Sequence, residues 1–388
     1  MNSTPEITLV MPCLNEAETL AACIVEARQG LERTGLPGEI VVADNGSTDG
    51  SQELARGLGA VVIDVPRKGY GSALRAGTLA ARGRWIIMGD SDLSYDFGNI
   101  APFVEKLAAG DDLVMGCRMP YGGGRIEPGA MPWLNRWLGN PVLSWIGRVF
   151  FRTAITDFHC GIRGYSREAF TRMELTTTGM EFATEMVVKA ALKRMRISEV
   201  PVTLRKDGRS RPPHLRRWRD GWRHLRFMLL FSPRWLFFYP GLLLTACGLG
   251  LMIPLSFGQV QLGRAHLESG ALVVASMSVM VGFQVLGFAL WAGSHPVARG
   301  VLPRSTFLAR LVHFFTLERG LVFGGLMALL GGAMLLHAIF IWSAAGYVNL
   351  NGPEILRIII PGATAVSLGV QVIFTSFFLS LLDMATEE

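Results

Sequence analysis

Four apolar runs constrain this chain more than any other feature. Residues 236–258, 270–292, 321–345 and 358–382 each meet the roughly 20 residues a helix needs to cross bilayer hydrocarbon. A backbone inside hydrocarbon must satisfy its own hydrogen bonds, so these runs are predicted as spanning helices. Half of the 388 residues are hydrophobic, and the mean hydropathy is +0.35. That apolarity is uneven. Residues 1–211 read as a globular α/β domain, 212–235 as a basic, aromatic interfacial helix, and 236–388 as a membrane domain. Arg299, Arg304, Arg310 and Arg319 load the middle connector, and the other two connectors carry few basic residues. The positive-inside rule then predicts a multi-pass cell-membrane protein with both termini and the N-terminal domain in the cytosol. A short interfacial helix is expected at 302–315, and Gln284, His337 and Gln371 are expected to join helices or line a lipid path.

Charge narrows the partners. A net charge of +6 and a pI near 9.3 call for an anionic partner. Arg216, Arg217, Trp218, Arg219, Trp222, Arg223, Arg226 and Trp235 stand directly before the first span. Anionic lipid, not nucleic acid, is therefore expected there. A second interfacial stretch is expected at 133–151, where Trp133, Trp137, Trp145, Phe150 and Phe151 alternate with Arg136, Arg148 and Arg152; an ordinary helix packed on the sheet is the alternative. The five cysteines form no CxxC pair, which points to reduced thiols in a cytosolic domain. The N-terminus shows no basic-then-apolar secretory signal.

Residues 1–211 alternate short apolar runs with helical periodicity. Strands are expected at 7–11, 39–43, 60–65, 84–88, 113–117 and 198–204, with helices at 15–32, 51–58, 69–82, 99–109 and 179–194. That alternation means a mostly parallel, right-handed α/β sheet with flanking helices. Ligands bind such sheets beyond the carboxyl ends of the strands. Those ends carry Pro12-Cys13-Leu14-Asn15-Glu16, Asp44-Asn45-Gly46, Pro66-Arg67-Lys68-Gly69 and Gly89-Asp90-Ser91-Asp92. Asp90 and Asp92, one residue apart at a strand end, can share one hard cation such as Mg²⁺ or Mn²⁺, or can be a polar turn. No GxGxxG follows the first strand and no GxxxxGK[ST] occurs, which disfavours dinucleotide and P-loop binding.

The motifs LVMPCLNEAETL, VVADNGSTDGS, KGYGSALRAG and GDSDLSYD, in this order, resemble those of family 2 glycosyltransferases with the GT-A fold. The likeness is greatest to the polyprenyl-phosphate group, which includes dolichyl-phosphate mannose and glucose synthases, and it covers about residues 7–210. The resemblance implies that Pro12, Asn15 and Glu16 line a nucleoside pocket and that Asp44 accepts hydrogen bonds from the base. It further implies that Asp90 faces sugar or ribose near the metal, and that Asp92 ligates a metal bridging the diphosphate. Lys68 is either an added diphosphate contact or part of a solvated loop.

On the acceptor side, Asp157-Phe158-His159-Cys160-Gly161-Ile162-Arg163 is similar to the family's Asp-x-x-(Ser/Cys/Gly)-Gly-Phe-Arg segment, with Ile162 at the aromatic position. The family proposes the Asp157 equivalent as base. A phosphate monoester is already largely dianionic at pH 7, so orienting the acceptor is the alternative. Arg163 is expected at the acceptor phosphate through its planar fork. His159 is expected to be structural. Glu181 and Glu185, one helical turn apart, are expected either near the sugar or in a structural role. Arg205-Lys206-Asp207-Gly208-Arg209-Ser210-Arg211 resembles the family's Arg-x-x-Gly-x-Ser-Lys segment, and Arg205, Arg209, Ser210 and Arg211 are expected to form a mobile lid over the donor.

Together these features predict an inverting transferase that moves one hexose from a nucleotide-diphosphate sugar to polyprenyl phosphate. UDP-glucose is favoured because 157–166 resembles the glucose-type members; GDP-mannose and a fused lipid-sugar flippase are the alternatives. A processive polysaccharide synthase is disfavoured, because its Gln-x-x-Arg-Trp motif has no counterpart: no Gln lies between Gln52 and Gln259. A non-catalytic nucleotide-sugar sensor is the remaining rival. Monomer and homo-oligomer are both compatible with the sequence.

Overall fold

The computed structural model describes residues 4–210, 217–298, 316–347 and 352–384. The chain divides into two compact units, Met1–Phe231 and Ser232–Glu388. The first unit carries strands β1 (Ile7–Cys13), β2 (Gly38–Asp44), β3 (Val61–Asp64), β4 (Trp85–Met88), β5 (Leu113–Cys117), β6 (Arg125–Ile126), β7 (Arg163–Ser166), β8 (Ile197–Pro201) and β9 (Thr203–Leu204). Seven of them form one sheet in the order β3-β2-β1-β4-β7-β5-β8. The expected mostly parallel sheet is present, with one insertion. β7 runs antiparallel between β4 and β5. Its residues, Arg163-Gly164-Tyr165-Ser166, make no apolar run, so hydrophobic patterning gave no sign of a strand. The expected strand at 198–204 is broken at Val202, and β9 leaves the sheet to pair with β6.

Burial on both faces explains the apolar strands. Leu9 and Met11 of β1 join a core layer with Leu20, Ile24, Phe97 and Phe103. Val10, pointing the other way, joins Leu74, Phe182 and Met186. Helices α1 (Ala17–Thr34), α2 (Ser51–Gly57), α3 (Tyr70–Ala80), α4 (Ala101–Ala108), α5 (Asn140–Phe151), α6 (Arg167–Met173) and α7 (Phe182–Leu192) flank the sheet. The basic segment becomes α8 (Arg217–Leu230), whose Phe227 and Met228 pack on Phe151 of α5 and Val188 of α7. Its Trp218 and Trp222 stay exposed, as do Trp133, Trp137 and Trp145 at and before α5. Aromatic faces of this kind, laced with arginine, suit a headgroup boundary. Cys13, Cys23, Cys117 and Cys160 are free and buried.

In the second unit, four helical segments are long and apolar enough to cross a membrane: Arg234–Phe257, Ser269–Ala292, Leu317–Ala344 and Gly352–Leu382. They match the four expected spans. A short hairpin, Val260–Leu262 with Ala265–Leu267, joins the first two. The last two helices meet along glycines: a Cβ on Gly324 would lie 2.6 Å from the Gly369 carbonyl oxygen, and one on Gly331 2.5 Å from that of Gly362. Gln284 and His337, expected between helices, lie on the exposed side of theirs. Ser276 Oγ and Thr364 Oγ1, 2.6 Å apart, make a polar link between helices. Residues 302–315, with their expected interfacial helix, lie outside the described residues.

Candidate active site

Topology alone gathers the site. β1, β2, β3, β4, β5 and β8 run in one direction, so their carboxyl ends share a rim. β7 runs the other way and begins at that rim, which delivers 157–162 to the same place. The strand-end loops are stitched together. Asn15, in the left-handed region at φ 58, donates its backbone N–H to Ser47 Oγ (2.8 Å) and accepts Thr48 N–H on Oδ1 (2.8 Å). Ser91 Oγ donates to the Pro12 carbonyl (2.7 Å). Asn45 donates to the Val65 and Arg67 carbonyls and accepts from Gly69 N–H. Lys68 Nζ reaches the Asn45 carbonyl at 2.5 Å, in an exposed loop.

Asp44 closes β2 and is 1% exposed. Its Oδ2 accepts from Gly46 N–H, Ser47 N–H and Gln52 Nε2. Burial raises its pKa, but these donors outweigh that and hold the carboxyl below its ordinary value. Oδ1 is buried with no hydrogen-bond partner among the described residues. A buried, ionised acceptor left unmet is costly, which marks the place where a ligand N–H fits.

Asp90 and Asp92 sit past β4 as expected. Tyr70 Oη donates to Asp90 Oδ1 at 2.9 Å. Burial, and behind it the charge of Asp92, pushes the Asp90 carboxyl up to about 6. Asp92 accepts Ser94 N–H and Oγ on Oδ1 and pairs through Oδ2 with Arg209 Nη2 at 3.0 Å. Two repelling carboxylates balanced by a borrowed guanidinium fit a hard cation. No three His, Cys, Asp or Glu side chains converge on a metal-like site among the described residues. A cation here would thus draw further oxygens from its ligand, as Mg²⁺ and Mn²⁺ do with phosphates.

The acceptor-side expectations change most. Asp157 is fully buried, and both its oxygens lie in the fork of Arg118: Nε to Oδ2 at 2.7 Å and Nη2 to Oδ1 at 2.8 Å. Oδ2 also accepts the Arg118 N–H. Burial raises the Asp157 pKa, but Arg118 outweighs it and keeps the carboxyl ionised. That arrangement suits orientation, not proton abstraction. Arg163, expected at a phosphate, is fully buried. Its guanidinium donates to the carbonyls of Cys160, Ala183 and Phe158, so the fork is spent inside the fold. Glu185 is likewise internal. It pairs with Lys189 at 2.8 Å and accepts from the N–H and hydroxyl groups of Thr176 and Thr177. His159 packs against His224, with ring centroids 4.8 Å apart and the rings tilted by 56°, consistent with a structural role.

Arg118, unmarked in the sequence, is the buried cation paired with Asp157. It is the first residue beyond β5, so the strand-end logic that found Asp44 and Asp90 would also have found it. Its charge lowers the Asp90 pKa, which places it within electrostatic reach. Glu16, expected at the nucleoside, instead takes Arg209 Nε at 2.9 Å. Arg205, Arg209 and Ser210 all lie against the acidic rim. Arg211 lies outside the described residues.

Comparison with known proteins shows the family of the chain. Residues 8–173 match the model of glycosyl transferase family 2, and residues 292–383 that of the glycosyltransferase family 2 C-terminal transmembrane region. The low-salt glycan biosynthesis hexosyltransferase of Haloferax volcanii is 36% identical over 97% of this chain and 89% of its own length. The dolichyl-phosphate hexose transferase of the same organism is 30% identical over 52% of this chain and 83% of its own. The solved glucosyl-3-phosphoglycerate synthase of Mycobacterium tuberculosis, with Mn²⁺, UDP and glucosyl-3-phosphoglycerate, aligns at 21% identity and TM-score 0.44, covering 58% of this chain and 78% of that one.

Proposed function

The chain belongs to glycosyltransferase family 2, and we propose that it transfers one hexose from a nucleotide-diphosphate sugar to polyprenyl phosphate, with inversion. One observation carries the reading: a single rim of strand ends that carries Asp44, with its unmet Oδ1, the Asp90–Asp92 pair and the buried cation Arg118. Each part has a matching group on the substrates. Asp44 Oδ1 takes a base N–H, and Asp90 faces the sugar or ribose. Asp92, with Asp90, would hold a Mg²⁺ or Mn²⁺ for the diphosphate. When bound, that cation supplies positive charge to the leaving nucleoside diphosphate.

The residues of the chain divide the remaining work. Lys68 and the lid residues Arg205, Arg209 and Ser210 surround the diphosphate. Arg118, aimed by Asp157, holds the acceptor phosphate for attack on the anomeric carbon. Arg118 spends Nε and Nη2 on Asp157, and no bond from Nη1 occurs among the described residues. A shallow groove of Tyr121, Pro141, Val142, Trp145 and Arg148 offers an apolar wall and one more cation, which suits a phosphorylated isoprenoid. Tyr121 Oη donates to the Thr156 carbonyl at 3.4 Å, next to Asp157. The named activity of the dolichyl-phosphate relative supports the same acceptor class.

We place the catalytic unit on the cytosolic face and favour UDP-glucose as donor. Purified full-length protein with Mg²⁺ or Mn²⁺ is expected to move label from UDP-glucose to polyprenyl phosphate and to release UDP. Transfer from GDP-mannose alone would overturn the donor assignment. No transfer from any nucleotide sugar would overturn the function.

A further inference from the structure

The basic segment after β9 is strapped to the acidic rim residue by residue. Arg205 pairs with Glu26 and Asp96, each at 2.8 Å. Gly208 N–H donates to the Asp92 carbonyl at 2.9 Å. Ser210 donates from N–H and Oγ to Glu18, at 2.9 and 2.6 Å. At the centre, Arg209 lies between Glu16 and Asp92, and all three side chains are nearly dry, at 12%, 5% and 11% exposure. Exposed ion pairs contribute little, but a withdrawn guanidinium shared by two carboxylates is a stronger contact.

The charges at Asp92 also compete. Asp92 has given Oδ1 to Ser94 and Oδ2 to Arg209 Nη2 at 3.0 Å. A divalent cation on Oδ2 would set its charge against a guanidinium only 3.0 Å from that oxygen, so the two cations compete for Asp92. We infer that Arg209 is the resident counter-cation of the donor site: it holds Asp92 until a nucleotide diphosphate arrives with its cation, and then exchanges Asp92 for the diphosphate. Metal alone must evict the arginine with no compensation. Metal with nucleotide offers Arg209 new oxygens, so the two enter together. Glu16 becomes the anchor from which the lid swings, in place of a nucleoside contact. The inference rests on the donor class proposed above.

Mn²⁺ binding, read by the electron paramagnetic resonance of the free ion, tests this on full-length protein without activity. The set is wild type, Arg209→Gln, Arg209→Lys and Asp92→Asn, with and without UDP or GDP, whichever gives the larger thermal shift. Without nucleotide, Arg209→Gln is expected to bind Mn²⁺ roughly tenfold more tightly than wild type, and Arg209→Lys to stay near wild type. With nucleotide the advantage of Arg209→Gln should vanish. Equal or weaker binding by Arg209→Gln without nucleotide overturns the inference. If Asp92→Asn abolishes binding while Arg209→Gln changes nothing, this inference alone fails. If Asp92→Asn binds as wild type does, the cation role of Asp92 fails as well. The thermal transition of each variant shows that it is folded.

Discussion

Replacing Asp157 with Asn separates orientation from base catalysis. The amide would keep one acceptor for Arg118 but lose the charge and one of the two fork bonds, now 2.7 and 2.8 Å long. A hydrogen bond to a charged group contributes about 1.5–3 kcal/mol, and its loss leaves a buried cation half met. About 3 kcal/mol of misplacement at Arg118 corresponds to roughly a 150-fold drop in kcat/KM. The drop should fall mainly on the KM for polyprenyl phosphate, because Arg118 is the group displaced. Donor binding, read as the thermal shift given by nucleotide, should be unchanged, since Asp44 lies beyond another strand. The assay is label transfer against acceptor concentration from pH 5.5 to 9. A base that titrates in the free enzyme would give an acid limb that the variant loses, with acceptor KM unmoved. That result would refute the reasoning. An intact pH profile with a raised acceptor KM would bear it out.

Three further outcomes follow from the geometry. Asp44→Asn replaces an ionised acceptor with a neutral amide, so nucleotide affinity should fall about 10- to 150-fold by calorimetry. Gly161→Ala would set a Cβ 2.6 Å from Asp90 Oδ2 and 2.8 Å from the Tyr95 ring; transfer should fall at least tenfold with nucleotide binding retained. Burial pushes His224 down to about 4, with Asp220 partly opposing, and burial beside His224 also lowers His159. Between pH 6.5 and 4 the unfolded chain binds a proton at His224 that the folded one does not, so stability falls as pH drops through that window. The loss at pH 5 is about 2 kcal/mol from His224, and denaturant midpoints of His224→Asn should show a flatter acid slope.

The sequence revealed where polar residues end strands, and so it revealed the rim. Strand positions followed from apolar runs such as 7–11 and 113–117, and the spans from length and hydropathy. It could not show how each polar atom is spent. Arg163, Glu185 and Asp157 have residue types that suit a site, yet the partners of their side chains come from 2 to 39 residues away and consume their donors and acceptors. β7 stayed hidden for a related reason. A strand covered on all sides needs no alternation, and its arginine is tolerated only because three carbonyls meet it. Arg118 was hidden among ordinary loop arginines, though its place directly after β5 was readable.

The burial of Asp157 bears on the acceptor itself. A sugar hydroxyl has to lose its proton as it attacks, so a transferase acting on one needs an accessible carboxylate whose lone pairs are free. A phosphate monoester has a second pKa near 6 and is mostly a dianion at pH 7. It needs a cation to hold it and no base. Here the acceptor-side carboxylate is sealed from solvent, ionised and wholly engaged in aiming a guanidinium. Such a pair has no use as a proton acceptor and a direct use as an anion clamp. The phosphate nucleophile proposed above would account for the one feature of the site that looked least catalytic. By the same reasoning Arg118→Lys, which keeps the charge but loses the fork, should retain donor binding and fail mainly in acceptor KM. An Arg118→Lys enzyme with wild-type acceptor KM would remove the phosphate from this side of the rim.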